Sequence, residues 1–214
     1  MPTFRFERAL QGVVCGIDEV GRAPLAGPVL AAAVILPRKL PRALRGMDDS
    51  KVVPRDQREA FAARLFDHAQ IGIGAASVAE IDAINILRAT FLAMARAVTA
   101  LSLAPGATPN WALVDGNQAP PLLCPVRTIV GGDGRSLSIA AASIVAKVTR
   151  DRLMRALAPR YPGYGWETNV GYPTRHHRAA IRSLGPTPHH RRRFIDLQGS
   201  LDLESNEAEQ VIDS

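Results

Sequence analysis

Five short apolar runs, separated by polar segments and turn residues, predict the strands of a sheet. The run at residues 29–36 is apolar throughout and is the longest in the chain, which is typical of a buried strand. The run at 71–78 alternates with glycine and alanine, which indicates that another element packs closely against it. The predicted strands cover residues 13–17, 29–36, 71–78, 111–114 and 126–130.

Longer stretches with helical spacing predict four helices. Apolar side chains of the second recur every three or four residues from Ile84 to Leu101, which predicts one continuous amphipathic helix. Pro54 suits the start of the first helix, and Thr174 and Gly185 suit the two ends of the last. The predicted helices cover residues 54–69, 84–101, 137–158 and 174–184.

The order of these elements predicts a single α/β domain over residues 1–194, with a mixed five-stranded sheet flanked by helices. We expect residues 159–194 to form a helical C-terminal portion of that domain. Apolar spacing fades after Phe194, so residues 195–214 are predicted to be a flexible acidic tail.

Charge is distributed unevenly along the chain. The net charge is +6, but it is +12 up to Arg193 and −6 beyond that residue, where six acids follow without a base. A body this basic indicates a polyanionic partner such as nucleic acid, although many arginine-rich proteins bind none.

The two cysteines and the apolar runs limit the compartments that fit the chain. Cys15 and Cys124 both lie in apolar segments, which favours buried thiols in a reducing environment over a disulfide framework. The longest apolar run falls far short of the roughly 20 residues of a membrane span. No apolar signal segment is visible near residue 1, so we expect a cytoplasmic protein that does not enter a membrane.

Carboxylates follow three of the predicted strands. Asp18 and Glu19 come directly after the first strand, Asp115 follows the fourth, and Asp133 follows the fifth across two glycines. Ligands in open α/β sheets bind at the strand ends, and clustered carboxylates repel one another unless cations are present. Two Mg²⁺ or Mn²⁺ ions held there would suit phosphodiester cleavage. The alternative is that each acid caps a turn in water, and for Glu19 to join Asp18 the backbone would have to leave the strand pleat, which Gly21 permits.

An ordered series of motifs resembles the ribonuclease HII family, that is, the type 2 ribonucleases H. The resemblance extends from about Val13 to Phe194, and the series as a whole is specific although each piece alone is weak. The matching segments are residues 16–29 (GIDEVGRAPLAGPV), 49–51 (DSK), 85–87 (NIL), 114–117 (VDGN), 140–144 (AAASI), 146–148 (AKV), 171–172 (GY) with Thr174 and His177, 185–187 (GPT), and 190–192 (HRR) with Phe194.

The resemblance implies a ribonuclease H-like fold and a specific activity. The implied activity is hydrolysis of RNA in RNA–DNA hybrids and of single ribonucleotides embedded in duplex DNA. The cut falls 5′ to the ribonucleotide, leaves 3′-hydroxyl and 5′-phosphate ends, and serves ribonucleotide removal in DNA replication and repair. Carried over by motif, the four carboxylates Asp18, Glu19, Asp115 and Asp133 are catalytic residues that hold a two-metal site of Mg²⁺ or Mn²⁺.

The resemblance also implies substrate contacts outside the carboxylates. The loop Gly21-Arg22-Ala23 occupies the place where the family reads the ribose 2′-hydroxyl, the group that separates RNA from DNA. Tyr172 matches the tyrosine that packs on the sugar beyond the junction. Lys147 and Arg191 are further candidates for phosphate contacts, and positions on a solvated helix or loop face explain them equally well.

Several positions depart from the family pattern. Ala23 replaces the last glycine of a Gly-Arg-Gly motif, which affects junction recognition if that position needs positive φ or close backbone approach. Val52, Gly131 and Val170 replace lysines that are usual in the family, so we expect fewer phosphate contacts. Arg193 replaces a frequent serine and returns one charge.

Two other classes of function stay open at this point, and one tail motif adds a partner. The chain could be another ribonuclease H-like metal nuclease such as a junction resolvase, or a hybrid-binding protein without catalysis. We expect a monomer.

The segment Gln198–Leu203 resembles the short peptide with which bacterial repair proteins bind the sliding clamp, although a pattern this short also arises by chance.

Overall fold

Five strands form one mixed sheet in the order β3-β2-β1-β4-β5. The computed structural model describes residues 1–48, 50 and 53–195. The strands are β1 (Val14–Val20), β2 (Val29–Ile35), β3 (Gln70–Ala76), β4 (Trp111–Asp115) and β5 (Val126–Ile129). The β1–β2 and β2–β3 pairs are antiparallel, whereas β4 runs parallel to both β1 and β5. The mixed five-stranded sheet predicted from the sequence is confirmed.

Helices cover both faces of this sheet. They are α1 (Arg5–Arg8), α2 (Arg55–His68), α3 (Val78–Ile84), α4 (Ile86–Ser102), α5 (Leu137–Leu157), α6 (Trp166–Asn169) and α7 (Arg175–Leu184). Short 3₁₀ turns lie at Arg42–Leu44, Gly132–Gly134 and Ala158–Arg160. In the part of the chain that is described, no helix combines the length and apolar composition that a membrane span requires.

Strand β2 is buried on both faces, as its unbroken apolar run predicts. Its alternate residues belong to two cores, one beneath α2 and α5 and the other beneath α4. The first set is Leu30, Ala32 and Val34, and the second is Val29, Ala31 and Ala33.

Glycines in the strands let the helices lie directly on the sheet. A Cβ atom at Gly72 would lie 2.1 Å from the carbonyl oxygen of Ala97 in α4, and one at Gly16 would lie 2.1 Å from the backbone of Ser138 in α5. The close packing predicted for the third strand is therefore confirmed, and β1 packs against α5 in the same way.

The helix predicted over 84–101 is confirmed as α4, which begins two residues later, but the short helix α3 before it was not predicted. Asn85 separates α3 from α4 with φ of 68°, and its side chain accepts hydrogen bonds from the N–H groups of Leu87 and Arg88. Ser77 and Glu80 form a capping box at the start of α3.

Strand β1 is longer than predicted and includes the first two carboxylates. Asp18 pairs with Ala32 and Glu19 with Ala31 on the antiparallel β2, so ladder hydrogen bonds continue beyond the apolar residues. The apolar pattern marks only the part of a strand whose side chains are buried in a core, which explains the short prediction.

The C-terminal portion packs around a third core of aromatic and apolar residues. Trp166 and Tyr164 are buried there beside Met154 of α5 and Ile181 of α7. The segment 161–173, which lies between two of the predicted helices, contains the short helix α6. Thr174 and Gly185 do bound α7, as predicted. The acidic tail and its segment 198–203 lie outside the described residues.

Candidate active site

Three aspartates meet at one edge of the sheet. Asp18 lies in β1, Asp115 ends β4, and Asp133 lies in the 3₁₀ turn that follows β5. One carboxylate oxygen from each lies within 4.8 Å of the others. Because β1, β4 and β5 are mutually parallel, their carboxyl ends share an edge, and this brings together residues far apart in sequence.

Backbone hydrogen bonds hold all three carboxylates. The N–H of Glu19 donates to Oδ1 of Asp18 over 2.7 Å. The N–H of Gly132 donates to Oδ1 of Asp115 over 2.6 Å, and the N–H of Gly134 donates to Oδ1 of Asp133 over 3.0 Å. These bonds fix the direction of each carboxylate without a cation.

Glu19 lies beside this cluster and is not one of the three grouped residues. Directly paired residues of an antiparallel sheet project from the same face of the sheet. Asp18 therefore projects with its partner Ala32 toward α5, and Glu19 projects with its partner Ala31 toward α4. The backbone therefore stays in the strand at Glu19, and the departure from the pleat that would let Glu19 join Asp18 does not occur. The Nη1 atom of Arg22 lies 3.4 Å from its carboxylate.

The electrostatics of the cluster favour a bound cation. Burial raises the pKa of Asp18 well above its usual range, and the charges of Glu19 and Asp115 raise it further. Burial also raises the pKa of Glu19, with the guanidinium of Arg22 opposing this and the charge of Asp115 adding to it. Mutual repulsion of this kind is relieved by divalent cations, and carboxylate oxygens are the donors that Mg²⁺ and Mn²⁺ prefer. The residues present thus fit such ions.

Two serines support Asp18, and the sequence analysis gave neither a role. Ser143 of α5 hydrogen-bonds to the carboxylate of Asp18, and its Oγ lies 2.8 Å from Oγ of Ser50. Both serines are buried. The signal in the sequence is a serine that interrupts an alanine run on the sheet-facing side of α5.

The loop after β1 begins with a glycine that has no room for a side chain. Gly21 has φ of 93°, and a Cβ atom there would lie 2.3 Å from Nε of Arg150. Among described residues other than glycine, only Asn85 and Val170 have positive φ, so Ala23 needs none. Ala23 is also exposed. Its methyl group therefore causes no backbone strain.

Two buried arginines hold this loop from behind. Arg191 donates to the carbonyls of Gly21, Arg22 and Gly27, and Arg150 donates to those of Pro28, Ala26 and Val170. Both side chains are 0% exposed. The solvated position considered for Arg191 is wrong, and its donors are directed at the loop, so we reassign it from a phosphate contact to a residue that positions the loop.

Comparison with known proteins agrees with this geometry. A family model described as Ribonuclease HII matches residues 15–197. A protein of Paramagnetospirillum magneticum named Ribonuclease HII is 58% identical over 199 residues, which cover 92% of this chain and 97% of that protein. The chain belongs to the ribonuclease HII family. As such it is a metal-dependent ribonuclease that hydrolyses phosphodiester bonds.

Solved structures show the same ribonuclease H-like fold. The ribonuclease H2 of Pyrococcus horikoshii OT3 matches with a TM-score of 0.67 and 27% identity, covering 86% of this chain and 97% of that one. A chain from the PCNA:RNase HII complex of Archaeoglobus fulgidus matches with a TM-score of 0.67 and 25% identity, covering 84% and 93%. The ribonuclease H-like fold implied by the motifs is confirmed.

Lys147 of this ribonuclease HII, a candidate phosphate contact, is engaged within the fold. Nζ of Lys147 lies 2.9 Å from Asp151, which also has Arg155 at 3.6 Å. Asp151 is only 6% exposed, so this row of charges is not the solvated face considered from the sequence. Nζ of Lys147 also lies 5.4 Å from the ring centroid of Tyr172.

Tyr172 follows a strained segment of backbone. Val170 and Gly171 have φ of 44° and 89°, and left-handed φ is a true outlier for a β-branched residue. Tyr172 itself is half-buried. Such strain persists only where surrounding contacts enforce it, and it concentrates at functional sites.

Proposed function

We propose that this ribonuclease HII cleaves the RNA strand of RNA–DNA hybrids and single ribonucleotides embedded in duplex DNA. The cut falls on the 5′ side of the ribonucleotide and leaves 3′-hydroxyl and 5′-phosphate ends. The observation that carries the proposal is the convergence of Asp18, Asp115 and Asp133 at one sheet edge, beside a rigid loop with the family's junction motif.

The carboxylates supply the metal site. Asp18, Asp115 and Asp133, with Glu19 at their side, would hold two Mg²⁺ or Mn²⁺ ions. Ions bound there activate a water molecule and stabilise the leaving oxygen of a phosphodiester. The protein orients its ligands in advance through the backbone bonds to the aspartates and the hydroxyl of Ser143.

The loop Gly21-Arg22-Ala23 supplies recognition of the ribose. Arg191 fixes the directions of the Gly21 and Arg22 peptide groups, and a fixed peptide group suits reading one hydroxyl. Tyr172 would pack on the neighbouring sugar. The exposed side chain of Arg22 and the basic body of the chain would hold the phosphates.

A substrate panel tests this function. Duplex DNA with one ribonucleotide, a long RNA–DNA hybrid, an all-DNA duplex and a four-way junction are incubated with Mg²⁺ or Mn²⁺, and the ends are mapped. We expect cleavage of the first two only, with 3′-hydroxyl and 5′-phosphate ends. Junction cleavage would favour a resolvase, and binding without cleavage would favour a hybrid-binding protein.

We further propose a cellular role in ribonucleotide removal during DNA replication and repair, in the cytoplasm and as a monomer. The segment Gln198–Leu203 would bind the sliding clamp, a proposal supported by the Archaeoglobus fulgidus relative, which was solved in complex with PCNA. A fluorescence titration of the tail peptide with the cognate clamp tests this, with a Leu201→Ala, Leu203→Ala peptide as control. Equal binding of the two peptides, or none, would refute it.

A further inference from the structure

Two histidines form a buried pair between α7 and the segment that follows it. His177 of α7 is 0% exposed and His190 is 2% exposed, and their Nε2 atoms lie 3.0 Å apart. Trp166 and Tyr164 enclose the pair, with ring centroids 5.3 and 4.9 Å from that of His190.

The hydrogen bonds around the pair allow one arrangement of protons. Nδ1 of His177 lies 2.9 Å from the carbonyl of Tyr172, which only accepts, so this nitrogen carries a proton. Nε1 of Trp166 only donates, and it lies 3.1 Å from Nε2 of His177, which is therefore bare. His190 then donates from Nε2, and its bare Nδ1 accepts from the N–H of Thr187 over 2.9 Å.

The hydrogen-bonded histidine pair connects Tyr172 to the loop after β1. At one end, His177 holds the Tyr172 carbonyl. At the other end, His190 forms a β-bridge with Ala26, and its neighbour Arg191 grips the carbonyl of Gly21. The two histidines thus form one contact between the elements on either side of the ribonucleotide position that we proposed. The N–H of Leu25, which donates to the carbonyl of Gly171 over 2.9 Å, and Arg150 form others.

The strain before Tyr172 explains why such a contact is needed. The left-handed backbone at Val170 is unfavourable for a β-branched residue, and it persists only where other contacts hold it. Arg150 donates to the Val170 carbonyl over 2.9 Å, and His177 donates to the Tyr172 carbonyl. Without the second bond, the Tyr172 carbonyl keeps the N–H of Thr174 at 2.8 Å but loses its connection to His190, and we expect Tyr172 to shift.

We propose that His177 and His190 are positioning residues that set Tyr172 against the loop 21–28 and so determine preference for a single embedded ribonucleotide over a long hybrid. The inference rests on the proposed function. A lone ribonucleotide offers one 2′-hydroxyl, so loop and tyrosine must engage the same junction. A long hybrid carries a 2′-hydroxyl on every nucleotide of its RNA strand, so it can bind at many positions and we expect its cleavage to tolerate a displaced tyrosine.

Two substitutions of His177 separate its hydrogen bond to the Tyr172 carbonyl from its hydrogen bond to His190. In His177→Asn the side-chain amide occupies the position of Nδ1, so a donor to the Tyr172 carbonyl is kept. In His177→Gln the amide occupies the position of Nε2, so the donor to the Tyr172 carbonyl is lost. We expect His177→Gln to lower kcat for the single-ribonucleotide duplex about tenfold, the effect of one lost buried hydrogen bond, and to change hybrid cleavage little. His177→Asn should retain most of the preference. His176→Gln, at an exposed neighbouring histidine, is the control.

A double-mutant cycle with Tyr172→Ala tests whether the pair acts through the tyrosine. We expect His177→Gln to cause no further loss of preference in that background, because contacting residues are not additive. Additive losses, or equal losses on both substrates, would overturn the proposal. If His177→Gln does not fold, His190→Gln takes its place in the cycle.

A readout without catalysis separates this inference from the proposed function. The chain has three tyrosines, so the Tyr172 ring signal in an NMR spectrum can be assigned with Tyr172→Phe. The signal should shift in His177→Gln and stay in His177→Asn. An unmoved signal in both would overturn the positioning role. Wild-type protein that cleaves neither substrate would overturn the function while leaving the shift interpretable.

Discussion

The guanidinium of Arg191 donates to the carbonyl of Gly21 over 2.5 Å, and so joins the end of the domain to the loop beside the carboxylates. We expect Arg191→Lys to lower the free energy of unfolding by about 2–3 kcal/mol, because an ammonium cannot satisfy the same set of buried carbonyls. Urea unfolding measures this, with the exposed Arg192→Lys as control. Equal stability of the two variants would contradict the role assigned to Arg191.

Asp18→Asn should abolish cleavage and leave affinity for the duplex nearly unchanged. The carboxylate belongs to the metal cluster, whereas affinity comes from basic side chains spread over the body. Cleavage assays and fluorescence anisotropy measure the two quantities separately. Asp67→Asn, at an exposed aspartate of α2, is the matched control, and undiminished cleavage in Asp18→Asn would refute the site.

Divalent cations should stabilise the fold through the aspartate cluster. At Mg²⁺ or Mn²⁺ a hundredfold above its dissociation constant, the unfolding midpoint should rise by about 5–10 °C. Asp18→Asn should lose most of this rise, and without metal it should be more stable than wild type, because it removes a buried charge whose pKa is raised. Differential scanning calorimetry with and without EDTA tests both. An equal rise in wild type and variant would place the ion elsewhere.

The buried histidines should make the fold less stable in mild acid. Burial lowers the pKa of His190 to about 4, and the charges of His177 and His189 act in the same direction. Burial also lowers the pKa of His177, with its hydrogen bond to the Tyr172 carbonyl opposing this. The unfolded chain binds these protons near pH 6.5, so the stabilisation is complete above that pH and is lost as pH falls toward 4. The raised pKa values of Asp18 and Glu19 act in the opposite sense, since their effect favours the fold as pH falls.

A difference measurement isolates the histidine contribution. Urea unfolding of wild type and His190→Gln is compared at pH 7.5 and 4.5, with the exposed His68→Gln as control. Wild type should lose up to about 3 kcal/mol more than His190→Gln across this range. A pH dependence shared by both proteins would contradict the prediction.

Ala23→Gly should raise the preference for a single embedded ribonucleotide. Ala23 does not have a positive φ, so relief of backbone strain is not a reason for the effect. The reason that we expect is closer approach of the backbone to the sugar once the methyl group is removed. We expect a change of at most about tenfold, the low end of what one methyl group changes in a binding contact. The ratio of kcat/KM values for the two substrates measures it. An unchanged ratio would mean that the methyl group is tolerated.

Much of the fold was predictable because its signals are local. Apolar runs marked all five strands, and the residues that cap α7 were visible in the sequence. Helix α3 was missed although Ser77 and Glu80 carry a capping-box pattern, because only its last residue, Ile84, belongs to the apolar spacing that marks α4. Periodicity reports which side chains are apolar and does not report where the backbone turns.

The sequence by itself determined the order of the five strands and the four longer helices, the family resemblance and the carboxylates Asp18, Asp115 and Asp133, since apolar spacing and short motifs are properties of neighbouring residues. Only the tertiary structure decided that Glu19 lies beside the aspartate cluster and not within it, and that Arg191 and His177 are buried. A polar side chain is buried only where distant groups satisfy its hydrogen bonds, and those groups are brought to it by the fold.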